Sequence, residues 1–188
     1  MRATIVVGLA ALALAGCQSE AEKRAAETGE IQATNATAGE VAGLMRAAAE
    51  KRAMKPGEWR LQVQVVSAET SEVPMAADDP KMALLKRQER NVAGCREAKD
   101  LKPLDLDQLE KVAGECRFAH YTLTGGKLDA AFECTQQNGN KMAMTAKGTT
   151  APERFDVTLD QKSGTPGSEN YVALELRATG TRLGECRW

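Results

Sequence analysis

Residues 116–134 read CRFAHYTLTGGKLDAAFEC, two runs of alternating side chains joined by Thr124-Gly125-Gly126. A period of two lines up one set of side chains on one face of a strand, and a Gly-containing break between two such runs signals a hairpin. Taking Thr124-Gly125-Gly126 as a three-residue loop sets Cys116 opposite Cys134, Phe118 opposite Phe132 and His120 opposite Ala130. Directly opposed residues bring their Cβ atoms close enough for a disulfide.

The same period recurs on both sides of the hairpin. Downstream, Met142, Met144 and Ala146 alternate, then Phe155, Val157 and Leu159 after Ala151-Pro152-Glu153, then Val172, Leu174, Leu176 and Ala178. Upstream, Trp59, Leu61, Val63 and Val65 alternate with polar residues from Gly57 onward. Turn signals about every 8 to 15 residues mark an antiparallel meander and not a chain of alternating strands and helices. Helical spacing is confined to short stretches. Val41, Leu44, Met45 and Ala48 share a face over residues 40–54, which Pro56 terminates; Lys81–Val92 and Leu104–Val112 are two further short helices. Between the first strand and Lys81, the polar stretch SAETSEVPMAADDP (67–80) reads as an exposed loop. The expected fold is mainly β with minor α: a curved antiparallel meander sheet with two or three short helices, stapled by disulfides.

Five Cys against one His point to an oxidising compartment and away from His-based metal or triad chemistry. The N-terminus explains one of the five. Arg2 precedes an uncharged, mostly apolar run over residues 3–15 that is too short to span a bilayer. It ends in Leu14-Ala15-Gly16-Cys17, followed by polar Gln18, Ser19 and Glu20. Those four residues resemble the lipobox of bacterial lipoproteins. The resemblance implies a signal peptide over 1–16 and a Cys17 that is acylated on sulfur (palmitate and related chains) and becomes the new N-terminus. Several acyl chains hold a protein on a membrane more firmly than one. Ser19 in place of Asp at that position implies the outer membrane, with the domain facing the periplasm.

Residues 17–39 hold almost no large apolar side chain, so their composition predicts a flexible tether with a span of roughly 25 Å. A single β-rich domain over 40–188 follows. With Cys17 assigned to lipid, the other four cysteines allow three pairings. The hairpin selects Cys116–Cys134, which leaves Cys95–Cys186.

Other chemistry finds little support. Net charge is −1 and aromatic content 4%, so no nucleic-acid partner is expected. No P-loop, dinucleotide glycine fingerprint, His-Glu-x-x-His or Gly-x-Ser-x-Gly is present. His120 falls on the same strand face as Cys116 and Phe118, a structural position. Asp78-Asp79 and Asp105/Asp107 read as solvated carboxylates, and Met142 and Met144 as core filler instead of soft copper ligands. No metal, cofactor or catalytic residue is expected.

Met54-Lys55-Pro56-Gly57-Glu58-Trp59, Cys95, the Cys116/Cys134 hairpin and Gly180-Thr181-Arg182-Leu183-Gly184-Glu185-Cys186 occur in an order and spacing that resemble domain-of-unknown-function family 3617. Its members are small exported proteobacterial proteins, and the resemblance covers residues 54–188. It implies export, disulfides and a β-rich fold, and transfers no catalytic residue. The expected function is therefore a membrane-anchored, non-enzymatic envelope module that is structural or binds a protein partner. The alternative is a carrier of a lipid or small hydrophobic ligand in an open β-barrel; a hydrolase comes third.

Overall fold

A computed structural model describes residues 19–71, 73–87, 89–102, 104, 106–136 and 139–186. Cys17, the leader and Asp105 lie outside them.

The hairpin is formed by β5 (Glu115–Thr124) and β6 (Lys127–Thr135), with Cys116 opposite Cys134 and Phe118 opposite Phe132. Its turn is shorter than expected. Thr124 pairs with Lys127, and Gly125 and Gly126 alone reverse the chain at φ 56° and 80°. A two-residue turn with both φ positive matches the twist of the flanking strands. Between Phe118 and His120 the register shifts by one residue. Turn and bulge offset each other on the cysteine side of Ala119 and not on the turn side. There Tyr121, and not His120, opposes Ala130, while His120 opposes Ala131. A bulge's extra residue exchanges the two faces of the strand beyond it. Cys116 and Phe118 are therefore buried below the bulge, Tyr121 and Leu123 above it, and His120 leaves the face it was expected to share with them.

The meander continues through β7 (Lys141–Ala151), β8 (Arg154–Ser163) and β9 (Val172–Gly184), each antiparallel to the last. β9 then pairs with β2 (Gly57–Thr70). β2 is longer than the alternation predicts. A bulge at Val66 shifts burial from Val65 to Ala68, so its far half reads as polar loop in the sequence. A short hairpin to β3 (Val73–Pro74) and helix α3 (Pro80–Lys86) take up most of the expected loop. Asp79 caps α3, its Oδ1 accepting from Lys81 N at 2.7 Å. The helix expected over 81–92 stops at Lys86, and Arg90–Arg96 form β4 on the other edge of β2.

The tether expected over 17–39 is replaced by ordered structure from Ser19. Helix α1 (Glu20–Thr28) starts at a capping box of Ser19 and Glu22 and stops at Gly29, φ 72°. Strand β1 (Ile31–Thr37) then pairs with β5. A second capping box, Thr37 with Glu40, starts α2 (Ala38–Arg52). Composition misleads here because the burial is done by small residues: Ala25, Ala36 and Ala38 are buried, and Ile31 is the one large apolar residue among them. Backbone pairing to β5 supplies the rest, satisfying donors and acceptors that a coil would leave to water.

The sheet runs β1-β5-β6-β7-β8-β9-β2-β3, with β4 off this path on β2, and does not close into a barrel. One face carries the core, where Phe118, Phe132, Met144, Phe155 and Trp59 meet Val41, Leu44 and Ala48 of α2. Leu101, Leu104 and helix α4 (Leu106–Ala113) cover the same face. A smaller cluster of Val65, Ala68 and Met82 joins α3 to β2. No helix among the described residues is long and apolar enough to cross a membrane.

Candidate functional site

The two motif segments meet at one end of the sheet. Trp59 faces Arg182 and Leu61 faces Gly180 across β2 and β9. Trp59 is fully buried, its Nε1 donates to Lys55 O at 2.9 Å, and its ring stacks on Phe155 with centroids 6.5 Å apart. Arg182 Nε donates to Pro56 O at 2.8 Å and its Nη2 pairs with the Glu185 carboxylate. Gly57 (φ 145°) lies so close to β9 that a Cβ would stand 2.3 Å from Gly184 O. On the other side of β2, Cys95 opposes Glu58, and its disulfide to Cys186 (Cα–Cα 5.6 Å) straps β4 to the end of β9. The second disulfide, Cys116–Cys134, joins directly opposed residues of the hairpin with Cα–Cα 4.0 Å. Together these contacts form a clasp. Its groups are spent on backbone carbonyls, glycine contacts and disulfides, so the motif holds the fold together.

The other sequence candidates stay apart. His120 Nε2 lies 3.2 Å from Asp129 Oδ1, but both side chains are substantially exposed (39% and 53%) on the face away from the core. Asp78 is exposed and Asp79 is the cap of α3. Met142 and Met144 lie in the main core, whereas Met75 and Met82 belong to the smaller cluster. Ser67 Oγ is 3.3 Å from Glu175 Oε2, with no histidine beside them. Among the described residues no three His, Cys, Asp or Glu side chains are grouped to hold a metal.

A cleft that the sequence did not announce lies between α2 and the tip of the β5–β6 hairpin. It has a volume of about 930 Å3. Met45, Ala48 and Ala49 of α2 form one wall, Leu101, Leu104 and Leu106 another, and Tyr121, Leu123 and Leu128 the floor. The small side chains of α2 keep the wall back from the floor. The Ala119 bulge supplies the floor itself, because without it Tyr121 and Leu123 would point to the opposite face. The Gly-Gly turn and the alanines of α2 line the cleft and the bulge turns Tyr121 and Leu123 into it, and none of these is a motif.

Among the described residues the charged side chains lining the cleft are Arg46, Lys51, Arg52, Lys99 and Lys102 with Glu50, and Lys99 is paired with Glu97 at 2.7 Å. Arg52 is half-buried and held in place by two carbonyls: Nε donates to Gly29 O, and Nη2 donates to Leu123 O at 3.1 Å. Burial lowers its pKa from the ordinary arginine value, with Glu30 opposing the shift. Burial also pushes the Tyr121 phenol up to about 12, with the Arg52 charge opposing. Tyr121 therefore keeps its proton across the physiological range and stays a donor. The arrangement can take an apolar body and meet a polar end with a fixed cation.

Residues 54–186 match a family described as "Protein of unknown function (DUF3617)". No curated protein and no solved structure matches the chain. The matched span starts after α2, so the cleft is built from both the matched region and the segment before it.

Proposed function

The chain belongs to the DUF3617 family, and from that premise we propose a non-enzymatic envelope module, tethered through Cys17, that holds an apolar ligand in the cleft between α2 and the hairpin tip. The cleft itself carries this reading. Ligand pockets measure roughly 300–1,000 Å3 and are mostly apolar with a few convergent polar groups, and this one fits on size, lining and the Arg52–Tyr121 end. The ligand would rest against one face of an open sheet, between sheet and helix, and not inside a barrel. Leu14-Ala15-Gly16-Cys17 supports the tether, and the two disulfides support an oxidising compartment.

The test is a titration of the purified protein with the neutral apolar fluorophore N-phenyl-1-naphthylamine. Saturable 1:1 binding is expected, lost in Ala49→Trp, an exposed position of the wall that fills the cleft without adding charge. Absence of saturable binding overturns the reading, as does binding unaffected by A49W. The tether is checked separately by metabolic labelling with an alkyne fatty acid, which should mark the wild-type chain and not Cys17→Ser.

A further inference from the structure

Resting on the cleft reading, we propose that the ligand is a single-chain amphiphile with an anionic head, its tail against Leu101, Leu123 and Leu128 and its head at Arg52. The whole chain carries a net charge of −1, yet among the described residues the end of α2 brings Arg46, Lys51 and Arg52 to the cleft, with Glu50 beside them and Glu30 acting on Arg52. A ligand head seated at Arg52 meets this cluster of cations at close range, and clefts with low-dielectric walls focus the field of such charge.

Arg52 is the fixed element of that field. It is the last residue of α2, where a cation also complements the helix dipole. Its hydrogen bonds to Gly29 O and Leu123 O reach across to the α1–β1 junction and to the hairpin, so its guanidinium position is set before any ligand arrives. Burial already disfavours its charge, and an anionic head would relieve that penalty. A carboxylate or phosphate oxygen is the acceptor a guanidinium fork fits best. The Tyr121 hydroxyl lies near enough for each charge to act on the other, and it offers a further donor. Arg46 and Lys51, both exposed, add attraction at the mouth.

The experiment displaces bound N-phenyl-1-naphthylamine from the purified full chain with four competitors at pH 8: palmitate, palmitoyl lysophosphatidic acid, hexadecanol and hexadecylamine. At least one anionic competitor is expected to bind about tenfold more tightly than the alcohol, the size of a hydrogen bond to a charged group. The order of palmitate and lysophosphatidic acid tells a carboxylate head from a phosphate one. Arg52→Met should remove the anionic preference, read as the ratio of anion to hexadecanol affinity. Because Arg52 also bridges structural elements, the surface double variant Arg46→Glu/Lys51→Glu provides an independent measurement, expected to weaken the anion several-fold and not the alcohol. Equal competition by acid, alcohol and amine overturns the inference while leaving the cleft reading intact. Absence of fluorophore binding overturns both.

Discussion

Gly180 leaves the space that Phe155 fills. The two residues oppose each other across β8 and β9, and a Cβ at position 180 would stand 2.2 Å from Phe155 Cε1. The ring cannot retreat, because it stacks on the fully buried Trp59. Gly180→Ala should therefore overpack the clasp and cost about 1–3 kcal/mol, measured by urea unfolding. Phe155→Leu alone should also destabilise, by opening a cavity. Combined with G180A it should restore part of the loss. Strictly additive losses would show that the close approach is not the cause.

The two disulfides should contribute unequally. Cys116 and Cys134 are 18 residues apart in the chain, Cys95 and Cys186 are 91 apart. Closing a longer loop removes more entropy from the unfolded chain, so the loop-entropy relation gives about 3 kcal/mol for the first and about 4.5 kcal/mol for the second. Cys95→Ala/Cys186→Ala should lower the urea midpoint more than Cys116→Ala/Cys134→Ala. The reverse order would mean that the packing of Cys116 and Cys134, both buried in the core, outweighs loop length. A non-reducing peptide map should recover the same two pairs.

The hairpin shows how the sequence could be read and where it could not. Alternation over 116–134 is a direct record of the pleat, and it placed Cys116, Phe118, Phe132 and Cys134 together. Reading a three-residue loop without a bulge gives the same cysteine pair as a two-residue turn with one. The difference is visible only at His120 and Tyr121, where it decides which side chain enters the core. Bulges have no periodic signature, since each one interrupts the period that would reveal it; the bulge at Val66 hid the far half of β2 in the same way. Residues 19–37 escaped for another reason. Their order depends on two capping boxes and on pairing to a distant strand, which average composition does not register. The clasp was legible as motif spacing, whereas the cleft, a gap between elements, was not.

Tyr121 ties stability to alkaline pH. Its phenol is raised from the ordinary 10.0 to about 12, chiefly by burial. A raised folded-state pKa contributes stability that is fully present below the unfolded value of about 10 and is lost as pH climbs through about 12. Over that window the wild-type protein should lose about 2–3 kcal/mol through this group. Tyr121→Phe should be less sensitive over the same range. Phenolate absorbance supplies the direct check: of the two tyrosines, the signal removed by Y121F should titrate near 12. A component titrating near 10 would place the hydroxyl in water and not on the floor of the cleft.

The family match begins at Met54, but the core takes in α1, β1 and α2 as well. Ile31 of β1 and Val41 and Leu44 of α2 are buried in the same core as Trp59 and Phe118. Each such side chain contributes about 1.5–3 kcal/mol when fully buried, so removing all three forfeits roughly 5–9 kcal/mol. That is comparable with the whole net stability of an ordinary domain, about 5–15 kcal/mol. Deletion would also strip β1 from β5 and leave an unpaired edge, an invitation to association. A chain starting at Met54 should therefore aggregate or unfold without a cooperative transition. A chain starting at Ser19 should match the full-length protein in urea midpoint and in N-phenyl-1-naphthylamine binding. Cooperative unfolding of the Met54 chain at the wild-type midpoint would show that α1, β1 and α2 are appended to a self-sufficient sheet, and would remove the wall on which the cleft depends.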